Sequence, residues 1–213
     1  MIYKNILITA LLIFSATSES DSLNPVQLLS DYVGVDTVNP PGNESRAVDF
    51  YADIFKKEGI EFSSAESAPG RGNIWARIKG GNKPALILLQ HTDVVPASQE
   101  YWNSDPLVAE IKDGYLYGRG VIDMKGIGIS HLVSFLRLHR GGASLNRDVI
   151  FLATADEEAG GLYGAGWMID NHPEVFDGAG FVINEGGSGL MIGDDKVFSI
   201  EVTQKVPVWL RLT

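Results

Sequence analysis

A three-layer α/β domain is the fold class that the sequence predicts, and three observations predict it. Apolar strand-like runs at residues 85–90, 149–154 and 181–183 alternate with stretches of helical spacing, the pattern of a sheet with helices on its faces. The run at 86–89 is apolar without alternation, as in a strand buried on both sides. Each run also ends in ligand-type side chains, at the place where an open α/β sheet presents its functional groups.

In chain order, residues 1–18 read as a secretory signal peptide. Lys4 supplies the positive start, residues 6–14 the apolar stretch, and Ala16-Thr17-Ser18 a small-residue cleavage site. The stretch is too short to span a bilayer comfortably, so stable membrane insertion is not expected. A buried N-terminal strand or helix is the alternative. Asn24-Pro25 starts a first helix, with Val26, Leu29, Tyr32 and Val33 at helical spacing. Asn39-Pro40-Pro41-Gly42 ends it as a loop. A second helix is expected over 44–58, burying Val48, Tyr51, Ile54 and Phe55, with Gly59 closing it. The sequon at Asn43-Glu44-Ser45 is a chance match.

Strands are expected at 60–62, 73–78 and 85–90. Residues 94–118 read as loop, with a hairpin at Asp113-Gly114. A glycine-rich turn over 118–126 leads into a long helix reaching about residue 140, apolar nearly all round and therefore buried. His131 and His139 on that helix read as packing or capping residues. A strand at 149–154, a glycine-rich stretch at 160–166, a short helix with Trp167 and Ile169, and a strand at 181–183 complete the pattern.

Composition narrows the function. The formal net charge of −10 argues against nucleic acid as a partner, since phosphate binding needs a basic surface. With no cysteine, disulfides and thiolate metal sites are excluded, so any metal must be held by His, Asp and Glu. No Gly-x-Ser-x-Gly turn occurs, which disfavours a serine hydrolase.

The chemistry concentrates at the strand ends. In an extended backbone residues two apart point to the same side, so the Asp93 carboxylate can take the second ring N–H of a metal-bound His91. On His91-Thr92-Asp93 alone, a solvated strand end fits equally well. Glu157 and Glu158 follow a second run, Glu185 a third, and Asp123 the glycine-rich turn. Converging carboxylates are costly without a counter-charge. Two divalent cations supply it, one carboxylate bridging them at about 3.5–4 Å, and zinc suits a mixed His and carboxylate set. Of the adjacent Glu157 and Glu158, one can bind metal and leave the other to take a proton from water.

His91-Thr92-Asp93-Val94-Val95-Pro96, Gly118-Arg119-Gly120 with Asp123-Met124-Lys125-Gly126, Asp156-Glu157-Glu158 and Asn184-Glu185-Gly186-Gly187 together resemble the dizinc exopeptidase and deacylase family. That family includes acetylornithine deacetylase, succinyl-diaminopimelate desuccinylase, aminoacylase, carnosinase-type dipeptidases and glutamate carboxypeptidase. The resemblance implies a three-layer α/β/α zinc-exopeptidase catalytic domain over 19–203, with the first strand of a lid domain over 204–213. It implies His91 and Glu185 on one zinc, Glu158 on the second and Asp123 bridging both. Asp93 would orient His91, Glu157 would be the general acid/base, and the Asp123–Met124 peptide would be cis. The substrate would be a small peptide or N-acyl amino acid, the location secreted or periplasmic. Cobalt could replace zinc, and a homodimer could form through the lid.

One departure stands out. Family members carry a further histidine ligand beyond the lid, and His172 is a poor substitute by position. The chain is therefore expected to be the N-terminal portion of a longer protein and close to inactive alone. A catalytically dead relative that keeps the fold would lack Glu157 or Asp123, and both are present. A dimetal phosphoesterase would share the carboxylates but not the four motifs.

Overall fold

The computed structural model describes residues 23–142 and 144–201. The export signal expected at 1–18 and the lid strand expected from 204 lie outside the described residues. Helix α1 (Pro25–Val33) starts as the sequence suggests, the Asn24 side chain accepting hydrogen bonds from the amides of Val26 and Gln27 ahead of Pro25. Helix α2 (Ser45–Glu58) closes at Gly59, whose φ of 67° is left-handed. That cap also takes up the next residue, because the Ile60 amide donates to the Phe55 carbonyl at 2.9 Å. Strand β1 (Phe62–Glu66) consequently begins at the end of the expected 60–62 run, and Ile60 serves the helix cap instead.

Strands β2 (Gly72–Ile78) and β3 (Lys83–His91) follow. The small hairpin β4 (Glu110–Lys112) and β5 (Tyr115–Tyr117) turns at Asp113 and Gly114, both at positive φ as a two-residue turn of this hand requires. Helix α3 (Gly126–Gly141), strand β6 (Arg147–Thr154), helix α4 (Ala165–Asn171) and strand β7 (Ala179–Ile183) complete the sheet and its cover. A second hairpin, β8 (Ser188–Ile192) with β9 (Asp195–Ser199), was not anticipated, although the Gly193-Asp194 pair between two apolar runs is its signal.

The five-stranded sheet has the order β1-β2-β6-β3-β7. β6, β3 and β7 run parallel, while β2 runs antiparallel to both of its neighbours, β6 and β1. Strand alternation sends Leu88, Phe151 and Ala153 to one face, where they meet Tyr51 and Phe55 of α2 and Leu132 and Phe135 of α3. Ile87, Ile150 and Leu152 go to the other face and meet Met168 and Val175. Helices thus lie on both faces, and the three-layer expectation describes the observed architecture. β7 is the edge of the described sheet, with Phe181, Val182 and Ile183 all exposed. No helix among the described residues is long and apolar enough to cross a membrane.

Candidate metal centre

Because β3, β6 and β7 are parallel, their carboxyl ends lie along one edge of the sheet. His91 is the last residue of β3, paired with Thr154 at the end of β6. Two residues beyond Thr154, the chain turns at Asp156 with φ 67° and presents Glu157 and Glu158 in a single helical turn. Glu185 follows β7 by two residues. Asp123 comes from the irregular turn over Val121–Lys125 that enters α3, and the Asp123–Met124 peptide is cis. Met124 is buried behind it, its sulfur 3.2 Å from the His91 amide. Lys125 is buried as well, its ammonium donating to the carbonyls of Tyr32 and Val35 at 2.9 and 2.6 Å. Burial lowers Lys125 to about 7.

These elements bring all six sequence-predicted residues together. His91 Nε2 lies 3.0 Å from Asp123, 3.5 Å from Glu185 and 3.9 Å from Glu157. Two trios could each hold an ion, His91 with Glu157 and Glu185, and His91 with Asp123 and Glu158, each with ligand atoms within 4.8 Å of one another. One imidazole nitrogen binds one ion, so the second set keeps Asp123 and Glu158 as its own ligands. The other histidines are packed elsewhere. His131 is buried in α3, His139 lies 3.2 Å from the Glu58 carbonyl, and His172 pairs with Glu174 between Trp75 and Trp167.

Asp93 behaves differently from the expectation based on spacing. The nearest acceptor for His91 Nδ1 is the Asp93 backbone carbonyl at 2.9 Å, and its carboxylate is further, at 3.4 Å. The chain leaves β3 immediately after His91, which swings the carbonyl towards the ring. The carboxylate instead accepts the amides of Glu157 and Glu158 at 3.0 and 3.1 Å, and the Asn39 side chain at 2.8 Å. One fully buried carboxylate therefore sits beside the histidine and holds the backbone of the acidic pair.

The electrostatics follow from this crowding. Burial opposes the imidazolium of His91, but the Asp93 and Glu185 carboxylates outweigh it and raise the ring to about 11. Burial raises Glu158 to about 7, with Asp123 adding like charge. Burial also raises Glu157, while the hydrogen bond with His91 lowers Glu185. Without a metal, a proton on His91 is what offsets the carboxylates. A divalent cation on Nε2 fits the same position, and the donor set of one imidazole and several carboxylates suits zinc.

Four residues without a sequence-assigned role complete the setting. Arg71 pairs with Glu44 and Asp156 and donates to the Asn39 side-chain Oδ1. Asn39 opens the Asn39-Pro40-Pro41-Gly42 loop, in which both X–Pro bonds are cis. The bridge between Val38 and Val94 docks that loop beside Asp93. Only Asp156, within an acidic triplet, carried a local signal.

The sequence model of peptidase family M20/M25/M40 matches residues 87–208. Rat (Rattus norvegicus) aminoacylase-1B is 31% identical over 191 residues, covering 88% of this chain and 46% of the relative. A succinyl-diaminopimelate desuccinylase of Methylobacterium radiotolerans is 35% identical over 177 residues, covering 78% and 44%. Among solved structures, the M20 family metallo-carboxypeptidase Sso-CP2 from Sulfolobus solfataricus aligns with a TM-score of 0.66 at 25% identity, over 78% of this chain and 38% of that one. The chain spans about half the length of the curated relatives it matches.

Proposed function

The chain belongs to peptidase family M20/M25/M40, and from that premise we propose that it serves a zinc-dependent hydrolase of amide bonds in N-acyl amino acids or small peptides. The convergence of His91, Asp123, Glu157, Glu158 and Glu185 at the carboxyl ends of three parallel strands carries this reading. We assign two zinc ions. His91 and Glu185 would hold the first, Glu158 the second, and Asp123 would be shared. When bound, zinc would polarise the scissile carbonyl and make water acidic enough to attack near neutral pH.

The protein's own groups do the rest. Glu157 is half-exposed and its backbone is anchored on Asp93, so its carboxylate is held at the mouth of the cluster. Burial raises its pKa, which suits a group that takes a proton from the attacking water and passes it to the departing amine. His91 is fixed by its hydrogen bond to the Asp93 carbonyl, leaving Nε2 as the coordinating nitrogen. With Glu158 and the shared Asp123 as its assigned ligands, the second site of residues 1–213 should bind its ion more weakly than the first. Turnover by these residues alone should then be low. The positive, apolar and small-residue segments of 1–18 support a secreted or periplasmic location.

The test is zinc stoichiometry by metal analysis, together with hydrolysis of N-acetyl amino acids, dipeptides and aryl phosphoesters by the zinc-loaded protein. Bound zinc with amide hydrolysis, slow for residues 1–213 alone, is expected. Phosphoester hydrolysis without amide hydrolysis, or no zinc retained, would overturn the reading.

A further inference from the structure

Behind the acidic pair lies a second charge cluster, which reaches the assigned metal-binding side chains through Asp93, 3.4 Å from His91 Nδ1. Glu44, Asp93 and Asp156 are all buried, at 0%, 0% and 3% exposure. Three carboxylates this close would destabilise the fold without a cation. Arg71, its side chain 12% exposed, is the guanidinium paired with two of them. Its Nη1 meets Glu44, and its Nη2 meets Asp156 at 3.3 Å and the Asn39 side-chain Oδ1 at 3.1 Å. By holding that oxygen, Arg71 turns the Asn39 amide nitrogen towards the carboxylates. Nδ2 then donates to Asp93 at 2.8 Å and to Asp156 at 3.2 Å.

Each partner acts on the turn that carries the acidic pair. Asp93 accepts the amides of Glu157 and Glu158. Glu44 accepts the Asp156 amide at 3.3 Å, and Asp156 accepts the Tyr163 amide at 3.1 Å, closing the turn from its far side. The loop supplying Asn39 leaves no slack. A Cβ added at Gly42 would come within 2.0 Å of the Arg71 guanidinium, and the φ of 81° there already favours glycine.

We propose that Arg71 is a positioning residue for hydrolysis, acting through Asn39, Asp93 and Asp156 to fix the backbone at Glu157 and Glu158. The inference rests on the functional reading above for its effect on turnover, but its structural half stands independently. The planar fork is the feature that matters, because one guanidinium spans Glu44 on one nitrogen and Asn39 with Asp156 on another. An ammonium is a point charge and cannot hold both sides at once.

The test compares Arg71→Met, Arg71→Lys and Asn39→Leu with a control, Arg77→Met. Arg77 lies on β2, the strand that Arg71 immediately precedes, and makes a comparable pair, to Asp148 at 2.9 Å and the Val175 carbonyl, away from the cluster. Amide hydrogen exchange at Glu157 and Glu158 in the metal-free protein is the direct readout. The three cluster variants should exchange there about tenfold faster or more, and Arg77→Met should not. In the cobalt-loaded protein the cluster variants should shift the visible d–d bands and lower kcat by about 10–100-fold. Lys should fail to rescue. If Arg71→Met does not fold, Asn39→Leu carries the comparison, since it removes the amide and leaves the Arg71 charge in place.

Unchanged exchange at Glu157 and Glu158 in the variants that fold would overturn the proposal. So would faster exchange with the cobalt spectrum and kcat unaltered, or full recovery by Arg71→Lys. A wild-type protein that binds no metal and cleaves no amide would instead sink the functional reading, while the exchange data would still decide whether Arg71 holds the turn.

Discussion

Glu157 and Glu158 are adjacent in sequence and share the Asp93 carboxylate as a backbone anchor, yet their side chains are assigned opposite tasks. Glu157→Gln should keep zinc and lose turnover by about 10²–10⁴-fold, because an amide cannot take the proton from water. Glu158→Gln should lose the second ion. Metal content and kcat measured on both variants check the assignment, and the opposite pattern would exchange their roles. The geometry makes this a genuine question, because Glu157 also sits in the trio with His91 and Glu185. Asp123→Ala removes the group assigned to both ions and should lower retained zinc more than any other single ligand change. Equilibrium dialysis followed by metal analysis reads this directly, and two tightly held zincs would refute the bridging assignment. The six clustered residues were legible because each sits just past an apolar run or a glycine-rich turn. Arg71, Asn39 and Glu44 were not, since each is an ordinary loop, strand-edge or helix-start residue until the fold places it against Asp93 and Asp156.

At the scale of elements, periodicity identified the helices and inner strands because their burial follows from pattern alone. It misjudged β1, where the left-handed cap at Gly59 takes up Ile60, and passed over the β8–β9 hairpin, whose side chains are largely exposed. It also could not show how closely α3 lies on β3. At Gly128 an added Cβ would fall 1.7 Å from the Gln90 side-chain oxygen and 3.2 Å from the Tyr51 hydroxyl. Those two groups already hydrogen-bond to each other at 3.0 Å in the buried interface, so neither has an easy way to withdraw. Gly128→Ala should therefore destabilise by about 1–3 kcal/mol through overpacking, despite the gain of about 1 kcal/mol that alanine normally brings to a helix. Thermal unfolding measures the balance. A raised Tm would mean that α3 can shift off the sheet without loss.

For the molecule as a whole, the acidic centre makes stability depend on what occupies it. In the metal-free protein His91 is raised from 6.5 to about 11, with burial opposing and the Asp93 and Glu185 carboxylates prevailing. A raised histidine stabilises fully below its unfolded value and loses that contribution as pH climbs towards the folded one. Glu158, raised mainly by burial to about 7, acts with the same sign, since the folded state prefers its protonated form until pH passes that value. Glu185 and Asp93 are lowered, Glu185 mainly by its hydrogen bond to His91, and Asp93 because His91 and Asn39 overcome the effect of burial. Their contribution is gained as pH rises to the ordinary carboxylate range of about 4, and it is lost only as pH falls through their lower folded values. Between about pH 5 and 7 these lowered carboxylates are therefore constant, while His91, Glu158 and Glu157 all favour the acidic end. His131, lowered by burial, opposes them only in part, and Lys125, lowered by burial to about 7, opposes them above that pH. The metal-free protein should accordingly show a Tm that falls as pH rises through this window. Saturating zinc should reverse the slope, because the ion replaces the proton on His91 and competes with protons for the carboxylates, so binding strengthens with pH. Calorimetric scans of the metal-free and zinc-loaded forms at several pH values decide the matter. Parallel slopes in the two forms would show that the cluster is not where the metal acts.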